Sequence, residues 1–223
     1  VYNSSGTFNM HGGSIIGNIT KYNGSLYNND AGYGGGVYNN GIFTMTGGNI
    51  SLNKSSYGGG GVHNGEKGTF IMDDGCISGN SLINSYKHGG GVHNEGEFIM
   101  NNGSISGNSA YYGGGVYNYG EKKAIFTMTG GVIGGDGDNG NTSVYSGGGI
   151  CNLATFNMSG TAAIIGNKTK KYGGGVYNDG AMFRLSGNVK ITGNTAANTE
   201  DSDVYVWPDK ALVTTGMGTD ACV

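Results

Sequence analysis

Hydrophobic and polar positions alternate with a period of two in short segments that recur along the whole chain. Each repeat holds three such segments. In the first segment a Val and an Asn, two residues apart, lie on the same side of the strand, and in the second a Phe and a Met do so. An Ile opens the third segment. This alternation is typical of β-strands, whereas the apolar positions of an amphipathic helix follow a 3.6-residue period. All seven Phe of the chain fall in one column of the repeat: Phe8, Phe43, Phe70, Phe98, Phe126, Phe156 and Phe183.

The repeat length favours a solenoid. Successive first-segment Val or Ile positions are 24 to 36 residues apart, and a propeller blade needs about 40–45 residues. Three strands with the same inward residues in every repeat favour coils that stack in register, at ~4.8 Å per coil. We therefore predict an all-β fold, a right-handed parallel β-helix of about seven coils with three short strands each, with the handedness taken from the usual chirality of parallel crossovers.

Asparagine recurs at two inward positions of the repeat. An Asn closes the first segment, and stacked amides at that bend would form a ladder that satisfies buried polar groups. Another Asn closes the third segment, where Asp136 takes its place once. The first column is Asn3, Asn39, Asn64, Asn94, Asn118, Asn152 and Asn178, and the second is Asn18, Asn53, Asn80, Asn108, Asn167 and Asn194.

The sequence predicts one elongated domain whose C-terminal end differs from the repeats. We assign residues 1–203 to the parallel β-helix repeats and residues 204–223 to a terminal coil and C-terminal cap, since Trp207 and Pro208 are the only Trp and Pro of the chain. Val1 opens in the middle of a repeat motif, so we expect further repeats before it. An open coil end is also a template for head-to-tail self-association, and a subunit of an extracellular filament is a further alternative.

Composition and charge exclude several function classes. The net charge is −3 and only 12% of residues are charged, which argues against nucleic-acid binding. No run approaches the ~18 apolar residues of a membrane span, so membrane insertion is not expected. Cys76 and Cys151 lie about three coils or ~15 Å apart, beyond the ~7 Å limit of a disulfide.

Catalysis by this chain is not predicted. Polysaccharide-acting β-helix enzymes need carboxylates on neighbouring outward strand positions, and those positions in the second and third segments hold no acidic residue. Acidic residues occur in turns instead, Glu66, Glu95 and Glu97 among them. We predict a non-enzyme without a cofactor. A polysaccharide-acting lyase or hydrolase and a carbohydrate-binding module stay open as alternatives.

The candidate binding residues form an outward aromatic column directly after the first-segment Val. Exposed and evenly spaced rings would form a platform for sugar rings or for another protein. The alternative is that a stacked Tyr simply fits an outward β position. The column consists of Tyr38, His63, His93, Tyr117 and Tyr177, and a second aromatic set precedes the Gly triplets at Tyr33, Tyr57, His88, Tyr112 and Tyr172.

Two features resemble metal sites. His63 and His93 occupy one column in consecutive coils at ~5 Å, but no carboxylate or thiol obviously completes a site, so we predict no metal there. Asp136 and Asp138 lie in a stretch with the composition of a calcium loop. It lacks the EF-hand spacing and occurs once, so an Asx-rich surface turn is the alternative.

Three motifs together carry a resemblance to known proteins. Gly-Gly-Gly-Val-Tyr-Asn at residues 113–118, Phe-Thr-Met-Thr-Gly-Gly at 43–48 and Ile-Ser-Gly-Asn at 77–80 resemble the repeats of large secreted adhesin-like proteins of gut microbes. They are more distantly similar to those of chlamydial polymorphic outer membrane proteins, whose motifs differ at the third Gly and in a closing Asn after the Phe. The resemblance covers Val1 to about Asn194.

This resemblance implies a parallel β-helix displayed outside the cell, with adhesion or structure as its role and no catalytic residues to transfer. We therefore expect an extracellular or cell-surface segment of a larger surface or secreted protein. The expected partners are glycans or host or cell-surface proteins.

Overall fold

The computed structural model describes residues 1–22, 32–120, 124–180, 182–197 and 203–223. Within these ranges the chain is almost entirely β, with no α-helix and one 3-10 turn at Gly137–Asn139. The strands pair in parallel into three sheets that run along a solenoid of about 6 turns. The predicted all-β parallel solenoid is confirmed.

The first sheet is built from the Val segments. Its eight strands pair in register, so that Val lies beside Val and Asn beside Asn in neighbouring coils. The strands are Tyr2–Asn3, Val37–Asn39, Val62–Asn64, Val92–Asn94, Val116–Asn118, Ile150–Asn152, Val176–Asn178 and Val204–Val206.

The second sheet combines the Phe/Met and Ile segments into one bent surface of 13 strands. In two coils a single strand runs through both segments, at Ile42–Ser51 and Thr69–Ser78. The remaining strands are Thr7–Met10, Ser14–Ile16, Glu97–Met100, Ser104–Ser106, Ile125–Met128, Val132–Gly134, Thr155–Met158, Ala163–Ile165, Met182–Gly187, Lys190–Thr192 and Leu212–Met217.

The third sheet is formed by connectors in which no strand was predicted. It has seven short strands that directly follow the second Asn column. Their residues are mostly Ser, Thr and Lys, so no alternation of apolar and polar residues predicts these strands. The strands are Ile19–Thr20, Lys54–Ser55, Ser81–Leu82, Ser109–Tyr112, Thr142–Ser146, Lys168–Thr169 and Thr195–Ala196.

Glycine is required in the Gly triplets for two reasons: one position has a left-handed backbone, and the next lies close to the backbone of the following coil. Gly113 has φ 62°, and a Cβ there would lie 2.4 Å from the carbonyl oxygen of Val116. The next residue, Gly114, has an ordinary φ, but a Cβ there would lie 2.4 Å from the carbonyl oxygen of Thr142 in the following coil. Only glycine fits both positions, the first for its left-handed backbone and the second for space.

The core consists of columns of identical side chains. Six of the seven Phe rings are fully buried, and Phe8 in the first coil packs against the same cluster. Neighbouring rings stack with centroids 4.6–5.0 Å apart and interplanar angles of 3–20°. Each buried side chain of this size stabilises the fold by roughly 1.5–3 kcal/mol.

Both asparagine columns form ladders. In the first, each Asn side chain from Asn3 to Asn152 donates to the next Asn Oδ1 at 2.6–2.8 Å. The second ladder contains Asn141 and not Asp136: Asn108 donates to Asn141, and Asn141 donates to Asn167, both at 2.9 Å. The 3-10 turn Gly137–Asn139 is inserted before the ladder position, so the inward Asn of this coil is residue 141, five residues after Asp136.

The last coil continues the repeat but ends the two ladders differently. Val204–Val206 extends the first sheet and Leu212–Met217 extends the second. The second ladder ends on Asp203, whose Oδ1 accepts from Asn194 Nδ2 at 2.8 Å. In the first ladder Val206 lies beside Asn178 and offers no acceptor, so Asn178 Nδ2 is buried without a hydrogen-bond partner among the described residues. The assignment of residues 204–223 as a cap stays a prediction.

Candidate functional site

The aromatic column after the first-segment Val points away from the core, but it is not an exposed platform. Tyr38 is 5% exposed, His63 3%, Tyr117 7% and Tyr177 9%. With Cys151, the last two form a small cluster of their own beside the main core. The expectation of an open stack of rings is therefore corrected, and ligand binding by these residues stays a prediction.

A second layer of rings covers this column. It comes from the residues before the Gly triplets, which pair from coil to coil as Tyr33, Gly58, His88 and Tyr112. The ring of Tyr33 lies 4.4 Å from that of His63, and His88 lies 4.5 Å from Tyr117. Tyr57 was expected in this layer, but its coil carries a fourth Gly, and Gly58 takes the position instead.

His93 breaks the regularity of the column. Its ring stands at 88° to the ring of His63 and at 86° to that of Tyr117, both with centroids 5.1 Å away. It occupies the gap that Gly58 leaves, where an added Cβ would lie 2.2 Å from His93 Nδ1. Burial, followed by the rings of His63 and His88, holds the pKa of His93 well below its ordinary value. His93 is therefore a neutral imidazole at physiological pH.

Glu95 completes a cluster with the two histidines. It follows Asn94 at the bend of the first sheet, and its carboxylate lies 3.3 Å from His93 Nε2 and 3.9 Å from His63 Nε2. The expectation that no carboxylate reaches these histidines is wrong, because Glu95 is two residues from His93 along a strand that then turns. In the described residues this is the one group of three side chains with metal-ligating atoms within 4.8 Å of one another.

A further group of aromatic residues lies at the third sheet: Tyr86 in the turn after Ser81–Leu82, and the half-buried Tyr111 and Tyr145 in the strands of the next two coils. Tyr86 is 68% exposed. Its ring lies 4.6 Å from that of Tyr111, which lies 5.8 Å from Tyr145 in the following coil. Tyr86 and Tyr111 line a groove of about 480 Å³ together with Ile83 and Val144, and Tyr145 lies outside its lining. The three tyrosines lie in connectors of different length, so the repeat pattern does not align them.

The backbone at Tyr86 is strained. Its φ is 61°, and among the described residues the only other non-glycine with a positive φ is Leu52, at 56°. A left-handed conformation is unfavourable for a bulky side chain and persists only where the surroundings impose it. Here it points a large ring into solvent at the groove.

The turn with Asp136 and Asp138 is built by the backbone. Asp136 makes no side-chain cap to the 3-10 turn, and its carbonyl accepts from the Asn139 amide at 3.2 Å. Lys168 Nζ donates to the carbonyl of Gly137 at 3.2 Å, so an ammonium group already serves one oxygen of the turn. Calcium binding at this turn stays a prediction.

The cysteines are free thiols in different surroundings. Cys151 is buried, Cys76 is half-buried and Cys222 is exposed. Burial raises the pKa of the Cys151 thiol to about 12, so Cys151 is unreactive at neutral pH. In line with the expectation from coil spacing, Cys76 and Cys151 do not pair.

Among the described residues no helix has the length and apolar character of a transmembrane span. Comparisons of the chain with models of protein families, with curated proteins and with solved structures gave no match.

Proposed function

We propose that this chain is a non-catalytic adhesive or structural segment of an extracellular or cell-surface protein, and that it binds glycans along the groove of its third sheet. The observation that carries the proposal is the exposed ring of Tyr86 beside the ring of Tyr111, both in the lining of this groove. The location outside the cell rests on the repeat resemblance alone.

The chemistry of the groove favours a sugar chain. The exposed ring of Tyr86 and the half-buried ring of Tyr111 each have an apolar face and a polar tip. Such rings suit a ligand that is apolar on its ring faces and rich in hydroxyls at its edges. Asn84, Ser85 and Lys170 line the same groove and supply donors and acceptors for such hydroxyls. The strained backbone of Tyr86 supports a functional role, since strain of this kind concentrates at functional sites.

The frame behind the groove favours a rigid display of these rings. Parallel strands in register and two buried amide ladders hold each coil against the next. Binding residues placed on such a frame lose little conformational entropy when a ligand binds. A repeated frame also suits a spacer or rod in a larger surface protein.

The test is binding to a panel of neutral and acidic polysaccharides by the full chain and two glycine variants. Tyr86→Gly removes the exposed ring and relieves the left-handed backbone. Leu52→Gly relieves the same kind of strain at a residue outside the groove and is the matched control. We expect binding to fall at least tenfold in Tyr86→Gly and to stay unchanged in Leu52→Gly, with both variants folded by circular dichroism.

Three outcomes would contradict the proposal. Equal loss of binding in both variants would assign the effect to the backbone and not to the ring. Absence of glycan binding together with capture of a purified cell-surface protein that Tyr86→Gly abolishes would make the groove a protein-docking surface. New reducing ends or unsaturated products in the panel would favour the alternative of a polysaccharide-acting enzyme.

A further inference from the structure

The cluster of His63, His93 and Glu95 lies apart from the groove of the third sheet, and adhesion does not explain it. Apart from the two pairs that include His93, the neighbouring rings measured along the Tyr/His column are nearly parallel, with interplanar angles of 4–22°. The ring of His93 is turned out of the stack toward Glu95. Both of its nitrogens are buried without a hydrogen-bond partner in the described residues. A buried imidazole of this kind costs free energy unless something else satisfies it.

We propose that His63, His93 and Glu95 bind a divalent transition-metal ion, with zinc as the preferred ion. Two imidazoles and one carboxylate form a donor set that zinc commonly takes, with one position left for water or another ligand. Imidazole ligands disfavour calcium and magnesium, which prefer oxygen.

The three candidate ligand atoms lie within 4.8 Å of one another, so they must draw closer around a small ion. Zn–N bonds of about 2.0–2.1 Å and Zn–O bonds of about 2.0–2.2 Å place neighbouring ligand atoms of a tetrahedron about 3.4 Å apart. The pair His93 Nε2 and Glu95 Oε1 is at 3.3 Å. The pair His63 Nε2 and Glu95 Oε2 is at 3.9 Å and involves the other carboxylate oxygen, so the half-buried Glu95 side chain must rotate to bring one oxygen close to both imidazoles.

The charges of the cluster also favour a cation. A hydrogen bond from one neutral imidazole N–H to Glu95 would serve a single histidine. A divalent ion interacts with both imidazoles and with the carboxylate at once, and it offsets the cost of partly burying that carboxylate.

The fold provides both the proximity and an entry path. In-register pairing of Val62–Asn64 with Val92–Asn94 places the two histidines side by side, and Gly58 leaves the space for the turned ring of His93. A cleft of about 290 Å³ reaches His63 and Glu95 from the surface and is lined also by Tyr33, Tyr38 and Glu66. The open coordination position would face this cleft.

The experiment is titration of the chelator-treated full chain with ZnCl2 by isothermal calorimetry, with Co2+ absorbance as a second readout. We expect one ion per chain, a higher melting temperature with zinc, and the visible bands of four- or five-coordinate Co2+. Glu95→Gln keeps the shape of a half-buried side chain and should weaken zinc binding more than tenfold. His93→Gln should do the same.

The controls are His11→Gln, a histidine far from the cluster, and Glu97→Gln, an exposed carboxylate two residues from Glu95. Both should bind zinc as the unchanged chain does. The proposal is overturned if the chain takes up no zinc, or if Glu95→Gln binds it with unchanged affinity while folded. It is also overturned if His11→Gln removes the binding. If His93→Gln does not fold, Glu95→Gln and the Co2+ spectrum decide by themselves.

Discussion

The interior Phe column and the outer Tyr/His column run through the same coils in the same register, and they differ in regularity. Interior rings stack at 4.6–5.0 Å and 3–20° from Phe8 to Phe183. The outer column changes residue type and turns through 88° at its second histidine. It also contains Cys151 between Tyr117 and Tyr177.

The difference has a physical cause. An interior position touches its copies above and below and is closed on all sides, so a change in shape leaves a void or a clash in three coils at once. An outer position is covered only by connector residues, which vary in length and sequence. A substituted side chain at an outer position therefore contacts a connector residue that also differs from coil to coil. The candidate ligand-binding and metal-binding residues all lie on the outside of the coils.

The largest effect is expected from truncating the interior column. Phe98→Ala should reduce the free energy of unfolding by about 3–5 kcal/mol, because it opens a cavity in a closed stack. The measurement is urea denaturation followed by circular dichroism. Tyr2→Ala is the control from the outer column: Tyr2 is exposed, so its removal should change stability by less than about 0.5 kcal/mol. Similar losses in both variants would mean that the two columns are equally important for stability.

A smaller loss is expected from interrupting a ladder. Asn94→Leu removes the acceptor of Asn64 and the donor to Asn118. Asn64 Nδ2 keeps its bonds to the carbonyls of Gly68 and Glu97. The main loss is therefore at Asn118 Oδ1, and one buried polar group left unpaired costs roughly 1–3 kcal/mol. Asn101→Leu is the matched control, because Asn101 makes similar side-chain hydrogen bonds to Asp73 and Thr129 in solvent. Thermal unfolding of the two variants should separate them clearly. Equal melting temperatures would show that the buried ladder contributes no more than an exposed one.

The smallest effect is a gain at the end of the first ladder. Val206→Asn supplies the missing acceptor for the buried Asn178 Nδ2, and one satisfied hydrogen bond should raise stability by about 1 kcal/mol. Val206→Leu, which keeps the position apolar, is the comparison. A Val206→Asn chain that unfolds at lower urea concentration than Val206→Leu would show that this end tolerates the unpaired amide better than a buried polar pair.

The repeated residues by themselves determined the solenoid, its inward columns and its first ladder. Phe70 pairs with Phe98 and Asn64 with Asn94 as the repeat requires. This works because period-two alternation and in-register stacking are local rules. A side chain's own segment decides whether it points inward, and the next repeat supplies an identical neighbour.

The tertiary structure alone decided what lies outside those columns. Asn141 replaced Asp136 in the second ladder because an inserted turn shifts the inward position. His63 and Tyr117 became buried because Tyr33 and His88, which precede Gly triplets, pack on them. Glu95 reached the two histidines, and Tyr86 came to lie beside Tyr111, through the paths of a bend and a connector. These contacts join residues whose spacing varies from coil to coil, so only the folded chain brings them together.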